Sequence, residues 1–217
     1  MSAHTSAPSS PLARGPAAGV SQAHESAVAQ VAGAVHYIDD LPEVRGTLYA
    51  APILSTVAHG KLLGVDSTAA RAMPGVVDVL LSADIPGDPM LAAFAGDEPV
   101  FAMDTVNFVG QVVGVVVAKT VMQARQAARK VQLNIEPLPA ILSVQQALEA
   151  QSFVLPPVHV RRGDAEAALA ASQHSLHGTL EVGGQEHFYL EGQIAYVLPL
   201  EQNQWWVYSS TQHLSLI

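Results

Sequence analysis

The sequence predicts an α+β fold, in which a mixed helix-and-strand domain is followed by a shorter, strand-rich region. Strand-like and short helix-like runs alternate up to about residue 150. An extended segment with two adjacent prolines follows at residues 153–160, and the last two strand-like runs have no helix between them. We therefore expect a change of domain near residues 150–165.

The first elements of the chain are strands separated by one short helix. Runs rich in aliphatic and β-branched residues predict strands at residues 48–54, 61–66, 76–81 and 111–118. The β-branched density of the last run is typical of a strand buried on both faces. Between the second and third runs, Ser67 is predicted to cap a helix over residues 68–73, which Pro74 and Gly75 end.

The longest predicted helix begins after Thr120, with Gln123 as its capping-box partner. Its apolar positions form a narrow, alanine-rich stripe that should lie close against a sheet: Val121, Ala124, Ala128 and Val131. A return strand at residues 133–136 and a short helix at residues 144–150 follow. Asp164 should cap one more helix, through Ala171.

Three strand-like runs complete the chain, at residues 177–182, 193–198 and 205–209. The N-terminal residues are rich in Ala, Ser and Pro and bury too little apolar surface to offset their ordering entropy. We therefore expect three parts: a disordered tail over residues 1–22, the mixed domain over residues 23–150, and a linker with the start of a second domain over residues 151–217.

Composition excludes several classes of function. The formal net charge is −9, so a nucleic-acid partner is not expected, because phosphate neutralisation needs clustered Lys and Arg. The chain has no cysteine, which excludes disulfides, a thiolate nucleophile and iron–sulfur clusters held by thiolates of this chain. No apolar run approaches the roughly 20 residues that span a bilayer. A cytoplasmic location without membrane insertion is expected.

The strongest candidate site is residues 183–191, Gly-Gly-Gln-Glu-His-Phe-Tyr-Leu-Glu, inside a run that otherwise predicts sheet. The paired glycines permit a close approach of backbone to a ligand, and Gln185 beside them offers an amide donor and a carbonyl acceptor. Glu186, His187 and Glu191 are predicted to be structural or supporting residues, because neighbours on a strand point to opposite faces.

Other polar pairs carry weaker hypotheses. His174 and His177 fail as a metal pair if that part of the chain is extended. Asp39 and Asp40 resemble a paired-carboxylate site, but a turn or cap is the more economical explanation. The tripeptide Arg-Gly-Asp at residues 162–164 resembles an adhesion motif, although Asp164 stands where a helix cap is expected.

Several ordered motifs together resemble the molybdenum hydroxylases, the family of xanthine dehydrogenase and aldehyde oxidase. The candidate site is one of them, and it resembles the start of the family's cofactor-binding half. The others lie at residues 24–27, 33–42, 72–76, 109–113, 135–140, 162–164, 190–193 and 210–213. The resemblance implies an α/β-hammerhead domain followed by the strand-rich, incomplete start of a molybdopterin-binding domain.

Within that family the likeness is greatest to the molybdenum-binding subunit of the xanthine dehydrogenase type. The resemblance implies a molybdenum–molybdopterin cofactor and a purine substrate, hypoxanthine or xanthine, hydroxylated with an oxygen derived from water. It implies that Gln185 contacts molybdenum through an oxo ligand, beside Gly184. It further implies a smaller partner subunit that carries FAD and [2Fe–2S] clusters and passes electrons to NAD, and therefore a hetero-oligomer.

The family's general base and its Gly-Gly-Gly-Phe-Gly-Gly loop have no counterpart in these 217 residues. We therefore expect the isolated chain to be inactive, to bind no molybdenum, and to associate through exposed apolar surface. Two alternatives stay open at this point. One is a related aldehyde or N-heterocycle hydroxylase, and the other is a non-enzymatic, hammerhead-like scaffold or binding module.

Overall fold

The structure is a computed structural model that describes residues 19–91, 96 and 98–213. Residues 1–18 of the predicted tail lie outside the described residues. The chain forms two compact units. One contains the described residues up to Pro42 and from Phe188 onward, and the other contains Glu43–His187.

The strands are short and pair in antiparallel ladders. In chain order they are β1 Tyr49–Leu54, β2 Gly60–Asp66, β3 Val76–Leu81, β4 Met90–Leu91, β5 Glu98–Pro99, β6 Thr105–Val106, β7 Val112–Ala118, β8 Gln132–Pro137, β9 Ala195–Pro199 and β10 Trp205–Ser209. The α-helices are α1 Ala27–Val31, α2 Thr68–Arg71, α3 Val121–Ala128, α4 Val144–Glu149 and α5 Ala165–Ala170. Short 3₁₀ turns cover Ile38–Asp40, Ser82–Asp84 and Glu201–Asn203.

Strand β7 lies at the centre of the larger unit. It pairs with β1 on one side and with β3 on the other, and a second sheet has the order β6-β2-β8. Val113 and Val116 of β7 join Val79 and Val106 in one buried cluster. The predicted burial of this strand on both faces is confirmed, because its buried positions fall on both faces. The prediction of mixed helices and strands is likewise confirmed.

Helix α3 packs its small residues on the sheet, as the alanine-rich stripe predicts. Its buried residues are Ala124 and Ala127, and the Thr120 hydroxyl accepts a hydrogen bond of 3.2 Å from the N–H of Gln123. Two details of the prediction are wrong. Val121 is 43% exposed, whereas Ala127, which the predicted stripe does not include, is buried. The Gln123 side chain does not complete a capping box, since its Oε1 is buried without a hydrogen-bond partner, against Gly75.

Ser67 is the N-cap residue of helix α2, as predicted, but its side chain does not make the capping hydrogen bond. The Oδ1 atom of Asp66 accepts from the N–H of Thr68 at 2.9 Å, whereas the Ser67 hydroxyl accepts from the side chain of Arg71. A carboxylate one residue earlier therefore takes the capping contact that was expected of Ser67. By contrast, Asp164 caps α5 as predicted, because its Oδ1 accepts from the N–H of Ala167 at 3.0 Å.

Arg71 also fastens α2 to β3. Its guanidinium donates to Asp78 Oδ1 and to the carbonyl oxygen of Val79, both at 2.6 Å. The Asp78 carboxylate in turn accepts from the N–H of Val79 at 2.7 Å. The bond from Arg71, followed by the backbone bond, lowers the pKa of Asp78 below its ordinary value of 3.8.

This lowered pKa predicts a pH-dependent contribution to stability. Folding favours the ionised form of Asp78, so its contribution is present above the ordinary pKa and is lost as the pH falls through the lower folded-state value. We expect Asp78→Asn to unfold at lower urea concentration than wild type at neutral pH, and the difference to shrink as the solution is acidified. Asp104→Asn, a change at an exposed aspartate, is the control. An equal difference at neutral and acidic pH would contradict the assignment.

The smaller unit contains an antiparallel hairpin of β9 and β10, in which the rings of Tyr196 and Tyr208 stack at 6.1 Å.

The predicted strand at residues 177–182, in the larger unit, is wrong, because that segment is irregular and Leu180 is 88% exposed. Strand propensity reflects packing against neighbouring strands, and no described strand pairs with this segment.

Candidate functional site

The segment that carries Gln185 is exposed and irregular, not the strand that the sequence predicted. Residues 181–190 are all exposed and none lies in a helix or strand. Neither Gly183 nor Gly184 has a positive φ, and a Cβ added at either would meet no atom within 4 Å. Glu186 and His187 therefore do not alternate across the faces of a strand. The Gln185 amide stands in open space on a segment that a ligand can approach closely.

The chain changes direction between Gln185 and the end of the motif. Phe188 has φ +50°, in the left-handed region that non-glycine residues rarely adopt, and its side chain is 92% exposed. Beyond it, the Gln193 side-chain amide donates to the Tyr189 hydroxyl at 2.8 Å. This local bond ties together residues 189–193, which overlap the predicted motif at residues 190–193.

Glu191 contacts the N-terminal motif. Its Oε1 accepts a hydrogen bond of 3.1 Å from the N–H of Ile38, and the contact is partly buried. Beside it, Asp40 Oδ2 accepts from the N–H of Tyr37 at 2.9 Å. The expected structural role of Glu191 and the expected capping role of Asp40 are thus confirmed. Sequence reasoning missed that these two motifs meet, since nothing local pairs residues 153 positions apart.

Two further motifs, at residues 210–213 and 109–113, also make contacts that stabilise the fold. The Ser210 hydroxyl accepts from the N–H of Ile194 at 2.9 Å and closes the open end of the β9–β10 hairpin. Gln111 is buried, and its Oε1 accepts from the N–H of Asn107 at 2.6 Å, while its carbonyl oxygen accepts from Ser55. The polar side chains of these two motifs bind backbone groups, whereas the Gln185 side chain is exposed and remains the candidate for a ligand contact.

Comparison with known proteins assigns the chain to a family. The model described as "Aldehyde oxidase and xanthine dehydrogenase, a/b hammerhead domain" matches residues 32–139, and that described as "Molybdopterin cofactor-binding domain" matches residues 147–217. The chain belongs to the molybdenum hydroxylase family of xanthine dehydrogenase and aldehyde oxidase. The resemblance carried by the sequence motifs is confirmed, as is the succession of a hammerhead domain and the start of a molybdopterin-binding domain.

Relatives of several kinds share this part of a molybdenum hydroxylase. "Xanthine dehydrogenase 1" of Arabidopsis thaliana is 45% identical over 181 residues, 82% of this chain and 13% of that protein. "Aldehyde oxidase 2" of Cavia porcellus is 40% identical over 191 residues, 87% of this chain and 14% of that protein. The solved aldehyde oxidoreductase of Desulfovibrio gigas is 26% identical with a TM-score of 0.72, covering 85% of this chain and 23% of that chain. The chain thus spans a small part of these relatives.

The residues present fit a contact to a molybdenum cofactor but not a metal bond. Within residues 19–91, 96 and 98–213, no group of three His, Cys, Asp or Glu side chains could hold a metal ion. The exposed amide of Gln185 can donate a hydrogen bond to an oxygen of such a cofactor, and open space at Gly184 leaves room for it.

Two other features named in the sequence analysis are the histidine pair and the membrane spans. His174 and His177 are both exposed in irregular chain. In the part of the chain that the structure describes, no helix has the length and apolar character to cross a membrane.

Proposed function

We propose that the complete protein is a xanthine dehydrogenase-type hydroxylase that converts hypoxanthine or xanthine toward urate with an oxygen derived from water. The observation that carries the proposal is the exposed Gln185 amide in the segment matched by the molybdopterin-binding model. The likeness to proteins named xanthine dehydrogenase, at 45% identity in one plant relative, supports the purine as substrate.

In this proposal Gln185 donates a hydrogen bond from its side-chain amide to an oxo ligand of the cofactor. Such a bond orients the cofactor and adjusts the charge on the oxygen without adding a protein ligand to the metal. The molybdenum–molybdopterin cofactor, when bound, supplies the oxygen-transfer and two-electron redox chemistry. Gly184 carries no Cβ, and the position that a Cβ would take is open space. The backbone at Gly184 can therefore approach the cofactor without steric conflict.

Electrons from the substrate need an acceptor outside this chain. With no cysteine in its sequence, the chain offers no thiolate for an iron–sulfur cluster. We propose that a partner subunit carries [2Fe–2S] clusters and FAD and reduces NAD, in a cytoplasmic hetero-oligomer, as the resemblance to the xanthine dehydrogenase type implies. The proposal concerns the whole protein, since this chain spans 13–15% of its curated relatives.

The test compares substrates on the complete, molybdenum-loaded enzyme with its partner subunit. We expect kcat/KM for xanthine to exceed that for benzaldehyde by about 100-fold or more, since a site that hydrogen-bonds a purine discriminates strongly against a ligand that lacks those groups. The solved aldehyde oxidoreductase and the mammalian aldehyde oxidase support one second candidate, an aldehyde hydroxylase. A preference for benzaldehyde would establish that candidate, and a complete protein that takes up no molybdenum under loading conditions and turns over neither substrate would favour a scaffold.

A further inference from the structure

Glu191 joins two parts of the chain that are far apart in sequence. Its carboxylate oxygen lies 3.1 Å from the backbone nitrogen of Ile38, and the bond is partly buried. A hydrogen bond to an ionised acceptor is stronger than one between neutral groups, and an N–H left unpaired away from water is unfavourable. The contact therefore holds residue 191 against the turn that begins at Tyr37.

That turn is itself well defined. The N–H of Asp40 donates to the carbonyl oxygen of Tyr37 at 3.0 Å, and the N–H of Leu41 donates to that of Ile38 at 3.1 Å. The Asp40 carboxylate accepts from the N–H of Tyr37 at 2.9 Å. Two successive N–H groups, those of Tyr37 and Ile38, are thus each paired with a carboxylate. Asp40 supplies one from within the turn, and Glu191 supplies the other from the opposite end of the chain.

The segment between Gln185 and Glu191 has an unusual backbone conformation at Phe188. Phe188 adopts a left-handed backbone conformation although its exposed ring gains little from packing. Such a conformation persists when the surrounding contacts determine it. The contacts beside Phe188 are the bond from Ile38 to Glu191 and the bond from Gln193 to Tyr189. Both lie on its C-terminal side, so they fix the end of the segment that follows Gln185.

We infer that Glu191 is a positioning residue for Gln185. By accepting the N–H of Ile38 it fixes the C-terminal end of residues 183–191 and so restricts the conformations of the chain that carries the amide six residues earlier. In this inference Glu191 acts through the backbone and not through a contact with cofactor or substrate. The inference rests on the proposed function, because that proposal gives Gln185 its partner.

The first test measures amide hydrogen exchange in the full chain and needs no activity. We expect Glu191→Ala to speed exchange at the Ile38 N–H about tenfold, and exchange at Tyr37, whose N–H Asp40 holds, to change little. Glu191→Gln keeps a carbonyl acceptor and should retain most of the protection. Glu181→Ala, at another exposed carboxylate, is the matched control. Equal exchange at Ile38 in wild type and Glu191→Ala would overturn the inference.

The second test uses the complete, molybdenum-loaded enzyme. We expect Glu191→Ala to lower kcat about tenfold with little change in KM or molybdenum content, and Glu191→Gln to restore most of kcat. If Gln185→Ala lowers kcat while Glu191→Ala does not, the proposed function stands and the positioning role is overturned. If Gln185→Ala has no effect, both fail. A loss of kcat in Glu191→Ala explained entirely by lost molybdenum would also overturn the positioning role.

Discussion

Replacing Gln185 by alanine in the molybdenum-loaded enzyme is expected to lower kcat about 10- to 100-fold, the range typical for residues that hydrogen-bond a metal's ligands. The reason is the loss of an amide donor that orients the cofactor, with the protein's other contacts to the cofactor retained. Because Gln185 is exposed and lies outside helices and strands, the substitution should leave the free energy of unfolding unchanged within about 0.5 kcal/mol.

The matched control for this prediction is Glu186→Gln, at the adjacent exposed position, for which we expect wild-type kcat. Gln185→Glu is the more demanding variant. It keeps the length of the side chain but replaces the amide donor with a carboxylate, so it should be at least as slow as alanine. Molybdenum content is measured on each variant to separate slower chemistry from lost cofactor. Full activity of Gln185→Ala would contradict the assigned role.

Gly114→Ala is expected to give the largest loss of stability among the substitutions considered. Gly114 is buried in the central strand β7 between β1 and β3. A Cβ at this position would lie 2.5 Å from the backbone oxygen of Leu80 and 2.6 Å from a methyl carbon of Leu81. Since a backbone atom cannot move aside without shifting the strand, we expect a loss of about 1–3 kcal/mol in the free energy of unfolding.

The same chain offers a control for this substitution. Gly64 lies exposed in strand β2, and a Cβ there would meet nothing within 4 Å. Gly64→Ala should therefore be neutral or slightly stabilising, because it reduces the conformational entropy of the unfolded chain. Urea unfolding of both variants, followed by circular dichroism, distinguishes the two positions. Equal urea midpoints for Gly114→Ala and Gly64→Ala would contradict the prediction, because they would show that the strands around Gly114 accommodate a Cβ without loss of stability.

Local chemistry explains which elements the sequence predicted well. The β-branched run of β7 and the capping residues Thr120 and Asp164 act through neighbours within a few positions, so their patterns are visible in the sequence. The failures arise where tertiary context decides. Residues 177–182 have no described strand to pair with. The exchange of Ser67 for Asp66 at the start of α2 is different, because two neighbouring side chains compete locally for the same N–H.

The sequence predicts the candidate site only in part. Gln185 was predicted from residue type, from the glycines before it and from the resemblance to a family. The shape of its segment was not predicted, because an apolar run with alternating polar residues indicates a strand whether or not a partner exists. The bond between Ile38 and Glu191 was equally invisible, since the two residues are 153 positions apart.

The most direct test of the central claim is the distance between the Gln185 amide and the molybdenum cofactor. A crystal structure of the complete, molybdenum-loaded enzyme measures it. We predict a separation of about 2.7–3.2 Å between the Gln185 side-chain nitrogen and an oxygen bound to molybdenum, which is hydrogen-bond distance. A fully loaded enzyme in which that nitrogen lies beyond about 4 Å from every oxygen on the metal, with no bridging water, would contradict it.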